Sequence, residues 1–555
     1  MARMVRRIGH ARKIVERTVR RDLRRRKVRQ SDASLRLFSA RTRHAFDALA
    51  PHFERELPAV DVPMQSPEAF RSDLRAEVAK LFELRNIPFL PHRSLSVSDI
   101  VFGVREDDWE TMLTALRHSG LEMLYGGSSR RSHPSRPLYV DSMDIEAFRT
   151  SRVLYLLRPS VARQDGIAVK RFGFDCAVRI ERWSTGKPGT PNEDAVVPRL
   201  GSPRTGDIAT SAFSALIHPP QHVLDAREPL LADNLMEITF PIDVVYTWVD
   251  GTDPAWIARK RSVLDALHGE EMSDDAASDL RFIAHDELRY SLRALEMYAP
   301  WVRHVYLITD QQRPPWLRED DPWITVVDHT EIAPEGTALP TFNSQAIEAN
   351  LHRIDGLSEH FLYFNDDVFL SSPVVPELFF GPNGIASMYL SKAQVADGAP
   401  VLGEPASDSA GKNARTLVQE VSGRRVSRKL FHTPFPLRRS ISNEIEERWP
   451  EVVRQTRLSQ FRRLEDVTLS GALHMNYAYA TSRAVTRSIR YRYVNIGAAN
   501  APQKLESLMT DRHELQTFCL NEASQDLSPA RVDALVRSFL RRRFPDMGSF
   551  EIPGR

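Results

Sequence analysis

Only two cysteines, Cys176 and Cys519, occur in 555 residues. That scarcity excludes a disulfide framework and a thiolate zinc cluster, and it makes a reducing cytoplasm the simplest expectation. No apolar run is long enough to span a bilayer, and the N-terminus lacks the apolar core of a secretory signal. The glycine signatures of Walker and Rossmann phosphate loops are missing. So are the His-Glu-x-x-His zinc motif and the nucleophile elbow. Any chemistry must therefore rest on other groups.

What is present is a soluble-type composition, 42% hydrophobic and 27% charged, in a chain long enough for several domains with sizeable cores. The net charge of +2 hides an asymmetry. Residues 1–30 hold about a dozen Arg and Lys against Glu16 and Asp22. Such a block contacts polyanions in its functional readings, as a peripheral anchor on anionic lipid or as a nucleic-acid arm. The plain reading is a solvated basic helix or tail.

Residues 31–183 read as an accessory α/β region. Leu35, Phe38, Phe46 and Leu49 are packing positions in its helical start. Strands are predicted at Ser98–Val104, Val153–Leu157 and Ile167–Ile180, with a helix from Asp107 to His118. Residues 184–240, rich in Pro, Gly, Ser and Thr, read as linker or surface loops. This half is a regulatory, acceptor-recognition or scaffolding module.

From residue 241 to about 525 the pattern becomes strand, helix, strand, strand, helix, strand. That is an α/β core with a mostly parallel sheet and helical insertions. Ile242–Val249 is β-branched and aromatic, with Asp243 costly inside it unless paired or bound to something. Leu288, Leu292 and Leu295 give the buried face of a helix on which Arg289 and Arg293 share a side with Asp286. Two arginines four apart can grip a phosphate, or form a solvated salt-bridged face. Asn343 or Ser344 caps a helix that leads to Phe361-Leu362-Tyr363-Phe364, an apolar strand that stops on Asn365-Asp366-Asp367. Adjacent carboxylates are poor strand formers, yet they place hard oxygen ligands where open α/β sheets carry their sites. The segment 526–555 reads as a basic, peripheral C-terminal helix.

Four blocks resemble the characteristic regions of the Stealth family of capsule and exopolysaccharide sugar-phosphate transferases. The family is related to the eukaryotic GlcNAc-1-phosphotransferase. The first block is Ile242–Pro254. The second runs from Arg281-Phe282 through Asp286–Arg293 and Leu339–Ser344 to Asn365-Asp366-Asp367. The third contains His432-Thr433-Pro434-Phe435-Pro436 and Arg462. The fourth ends in Phe518-Cys519-Leu520-Asn521-Glu522, where the family usually has Asn-Asp. The resemblance implies a Rossmann-like nucleotide-sugar transferase core. It implies transfer of a hexose-1-phosphate from a nucleotide sugar, usually UDP-linked (UDP-GlcNAc for example), to a glycan hydroxyl, with a nucleoside monophosphate released. A nucleotide-sugar donor and a glycan acceptor are the implied partners; nucleic acid is not. His432, Asp366, Asp367 and Arg462 are then the candidate catalytic residues. Asp366 and Asp367 are candidate ligands of Mg²⁺ or Mn²⁺. Asp243, Thr247, Trp248, Asp286, Arg289, Arg293, Asn343 and Asn365 are candidate substrate contacts. A metal-dependent glycosyltransferase is the competing reading; it attacks the sugar carbon and releases a nucleoside diphosphate.

Overall fold

The computed structural model describes residues 60–554 except 64, 66, 94–99, 122–123, 128–137, 159, 165–166, 173–175, 186–194, 198–207, 233–234, 268–281 and 511–514. The basic block 1–30, the packing positions Leu35, Phe38, Phe46 and Leu49, and Arg281 lie outside the described residues. The chain forms two compact units divided near residue 232.

In the first unit, Ile100–Arg105 runs parallel to Val178–Thr185 and antiparallel to Phe89–Arg93. The helix Glu106–Arg117 starts with three acidic residues against its positive end, as its sequence predicts, and buries Trp109, Met112 and Leu113. Strand Val153–Leu157 pairs antiparallel with Val178–Thr185. The supposed linker contradicts its composition. It contributes strands Ala195–Val197 and Ile208–Ala209 and the helix Gln221–Leu231. Arg227 on that helix is buried and donates to the carbonyls of Ala212 and Phe89 at 2.9 and 2.8 Å. One buried cation reaching two backbone carbonyls, of which that of Phe89 also accepts from the Ser214 N–H, ties down a helix that a Pro- and Ser-rich stretch conceals.

The second unit is built on five strands: β1 Ile242–Thr247, β2 Val305–Thr309, β3 Ile324–Asp328, β4 His360–Asn365 and, later in the chain, Phe435–Arg438. Their order is β3, β2, β1, β4, then Phe435–Arg438; the first four are parallel and the last is antiparallel. The chain leaves β1 in one direction and returns on its other side as β4. The crevice outside the carboxyl ends of β1 and β4 is therefore a topological switch point, where such sheets bind ligands. The register places Thr247 beside Asn365 at that crevice. Phe361, Leu362, Tyr363 and Phe364 are all buried, on both faces of the strand, and burying each such side chain contributes roughly 1.5–3 kcal/mol to holding it in the core.

Helix α1, Glu287–Tyr298, covers the sheet through Leu288, Leu292 and Leu295. Ser291 ties it down, with its hydroxyl donating to the Val368 carbonyl at 2.6 Å and meeting Tyr246 at 2.8 Å. Beyond β4, strand β5 (Val368–Leu370) pairs antiparallel with β7 (Thr517–Asn521), which runs parallel to β6 (Tyr491–Asn495). The C-terminal helix α2, Pro529–Arg543, is not peripheral. Val532, Val536, Phe539 and Leu540 are buried in the main core, and Phe544 stacks on Phe369 and Phe518. Its arginines make the segment read as surface, but its apolar stripe at helical spacing decides where it goes.

Candidate active site

The site assembles at the end of β4 from segments far apart in sequence. Asn365, Asp366 and Asp367 form the turn between β4 and β5 and are half-buried. Strand β7 lies against this turn, its Leu520 N–H donating to the Asp367 carbonyl at 2.9 Å. Side chains alternate along a strand, so Cys519 and Asn521 share the face that looks at Asp367. The Cys519 thiol and the Asn521 amide both lie 3.3 Å from Asp367 Oδ2. Tyr493 on β6 in turn donates to Asn521 Oδ1 at 2.9 Å. His432 approaches from the segment before the last sheet strand. Its Nε2 is 3.9 Å from Asp367 Oδ1 and its Nδ1 is 3.5 Å from the Cys519 sulfur.

Neighbouring carboxyl groups dominate the electrostatics of the site. Burial, and then the neighbouring Asp367 charge, push the Asp366 carboxyl up to about 7. Burial and the Asp366 charge likewise push Glu287 well above the carboxylate range. Asp367 Oδ1 is buried without a hydrogen-bond partner. The unpartnered Asp367 oxygen, beside the charge of Asp366, is a group that a divalent cation would satisfy.

Three family models match this chain: Stealth protein conserved region 1 over residues 240–268, conserved region 2 over 281–388 and conserved region 3 over 431–479. An exopolysaccharide phosphotransferase of Streptomyces coelicolor is 38% identical over 91% of this chain and 86% of its own length. The chain belongs to the Stealth family. A second Streptomyces coelicolor exopolysaccharide phosphotransferase is 37% identical over 88% of this chain and 85% of its own length. The exopolysaccharide phosphotransferase CpsY of Mycobacterium leprae is 37% identical over 68% of each chain. Among solved structures, the galactosyltransferase LgtC aligns at 10% identity and a TM-score of 0.28, over 56% of this chain and 98% of its own. At that distance it adds nothing to the sheet order described above.

This Stealth protein brings together some of its sequence-predicted residues and separates others. Asp366, Asp367, His432 and Asn365 share one site. Thr247 borders it from β1, its hydroxyl 3.0 Å from the Tyr363 hydroxyl, and Trp248 follows, half-buried on the core. Arg462 reaches the same side. It donates to Ser344 Oγ at 2.7 Å, and its charge bears on Glu348 and Tyr363. Asp286 holds a left-handed conformation at the start of α1 and faces Arg537 at 3.8 Å.

Four candidates fall outside the site. Asp243 lies at the opposite end of β1, buried, paired with Arg303 at 2.7 and 2.5 Å and with the Ser358 N–H at 2.7 Å. Arg289 and Arg293 do not face open space for a phosphate; both grip the buried carboxylate of Glu551, at 2.6 Å and at 2.5 and 2.7 Å. Asn343 is buried as the cap of a short helix and donates to Asp466 at 2.8 Å and to the Ser459 carbonyl at 3.0 Å. Conversely, sequence reasoning passed over Glu287, Glu348, Cys519 and Asn521. Glu348 is buried and pushed up to about 7 by burial, opposed by Arg462 and by the Tyr363 hydroxyl at 3.4 Å. Glu287 carried a signal as a member of the second block, and Cys519 and Asn521 as members of the fourth; Glu348 stood outside the quoted motifs.

Among the described residues no helix is long and apolar enough to cross a membrane.

Proposed function

We propose that this Stealth protein transfers a hexose-1-phosphate from a nucleotide sugar, UDP-linked by preference, to a glycan hydroxyl of an exopolysaccharide. The reading rests on the family and on one juxtaposition, the His432 imidazole beside Asp367 at the switch-point end of β4. The acceptor oxygen forms a bond to the phosphorus next to the sugar, and the bond from that phosphorus to the bridging diphosphate oxygen breaks. His432 takes the hydroxyl proton, and the nucleoside monophosphate leaves. A neutral imidazole offers a ring nitrogen that can accept a proton, which suits it to this transfer. Asp367 orients the ring, and Asn521 holds Asp367. Arg462 offers positive charge to the phosphoryl oxygens, which are anionic throughout phosphoryl transfer. Thr247, Trp248 and Asn365 border the nucleotide pocket. Asp366 and Asp367 would hold a Mg²⁺ or Mn²⁺ ion, which when bound supplies neutralisation of the diphosphate.

The test is to incubate the purified chain with a panel of UDP-sugars and oligosaccharide acceptors and weigh the products. A metal-dependent gain of one hexose phosphate per transfer is the expected outcome. A gain of one bare hexose makes the protein a glycosyltransferase using the same carboxylates.

A further inference from the structure

Asp366 and Asp367 suit a hard cation, but Asp367 also belongs to a second donor set of different chemistry. Asp367, His432 and Cys519 each present one ligating atom, and the three atoms all lie within 4.8 Å of one another. The sulfur is 3.3 Å from Asp367 Oδ2 and 3.5 Å from His432 Nδ1. Ordinary zinc bond lengths in a tetrahedron put ligand atoms about 3.4–3.6 Å apart. Two edges of the triangle are thus already close to zinc dimensions before any ion binds.

We propose that Asp367, His432 and Cys519 form a binding site for a thiophilic divalent cation of the Zn²⁺ class. A thiol and an imidazole favour zinc, cobalt and cadmium over magnesium, which prefers oxygen alone. Three protein ligands leave a fourth tetrahedral position for water. Cys519 is buried, but His432 and Asp367 are 32% and 16% exposed, so the open position can be reached from solvent. As the sulfur–metal bond forms, the thiol proton passes to solvent, so binding releases a proton. The strand geometry makes the site permanent: β5 and β7 pair Val368 with Cys519, which fixes the sulfur beside the Asp367 turn. Occupation ties up the residue proposed to take the acceptor proton and a carboxylate proposed to hold the catalytic cation. A Zn²⁺-class ion is therefore an inhibitor competing for Asp367. That consequence rests on the proposed reaction, whereas the binding itself does not.

The experiment is a titration of the tag-free full chain with Co²⁺, followed by near-ultraviolet and visible absorption, with Zn²⁺ and Mg²⁺ as competitors. The expected result is one equivalent of Co²⁺ with a thiolate-to-cobalt charge-transfer band. Zn²⁺ should erase the band and excess Mg²⁺ should not. The band should survive Cys176→Ser and vanish in Cys519→Ser, with Zn²⁺ affinity in the latter lower by about 100-fold or more. Cobalt that binds without a sulfur band, a band that follows Cys176, or no binding at all overturns the proposal. The wild-type spectrum decides the matter even if Cys519→Ser fails to fold. Because the readout is binding, failure here leaves the phosphotransfer reading intact.

Discussion

His432 Nε2 lies 3.9 Å from Asp367 Oδ1, although the two residues come from separate family blocks joined only through the fold. The pair ties a titratable ring to a carboxylate at the switch point of the sheet. Replacing His432 with Ala should lower kcat by about 10²–10⁴-fold, the usual contribution of a positioned proton-transfer group. Circular dichroism and melting temperature should stay near wild type, because the ring is one-third exposed. A variant with normal turnover removes His432 from the mechanism.

Glu551 sits buried under two guanidinium groups, Arg289 and Arg293. Glu551→Gln leaves those charges without their partner in the core and should cost about 3–5 kcal/mol of stability. Urea denaturation measures the loss. If Arg293 instead served substrate phosphate, Glu551→Gln would leave stability unchanged and alter KM.

How much of this was legible in the sequence follows from the range of each interaction. The strand ending on Asn365-Asp366-Asp367 was readable, because an apolar run and its polar stop are local. So was the cost of Asp243 inside a strand, although its resolution, the pair with Arg303, was not. Arg289 and Arg293 have the same helical spacing whether they bind a phosphate or a carboxylate. The deciding residue, Glu551, lies at the far end of the chain, where no periodicity could connect it. Cys519 and Asn521 reach Asp367 only through strand pairing, which is equally non-local. The segment 526–555 misled because its arginines outnumber its visible apolar stripe.

His474 is fully buried, and burial, then the nearby Arg483 charge, push its imidazole down to about 3. Its ring nitrogens meet the Arg438 N–H at 3.2 Å and the Ser442 hydroxyl at 3.1 Å. The folded state therefore keeps the ring neutral, while the unfolded chain protonates it below about 6.5. The folded state binds fewer protons, so stability from this group is present above pH 6.5 and is lost on acidification towards 3. The stability of wild type minus that of His474→Gln should fall by about 2 kcal/mol between pH 7 and pH 5. Chemical denaturation at the two pH values checks it; a pH-independent difference contradicts a neutral buried ring.

Asp366 and Asp367 repel each other when no cation lies between them. Asp366→Asn should therefore raise the melting temperature of the metal-free protein and lower the turnover measured with Mg²⁺ or Mn²⁺ present. EDTA should abolish turnover of the wild type, and Mg²⁺ or Mn²⁺ should restore it. A variant that loses stability and keeps its activity shows that the pair is structural.

The most direct test uses a nucleotide-sugar donor radiolabelled at the phosphorus next to the sugar. Phosphotransfer predicts that the label moves into the glycan product and that the released nucleotide, a monophosphate, is unlabelled. Label recovered in a released nucleoside diphosphate, with none in the glycan, contradicts the account and assigns the same site to a glycosyltransferase.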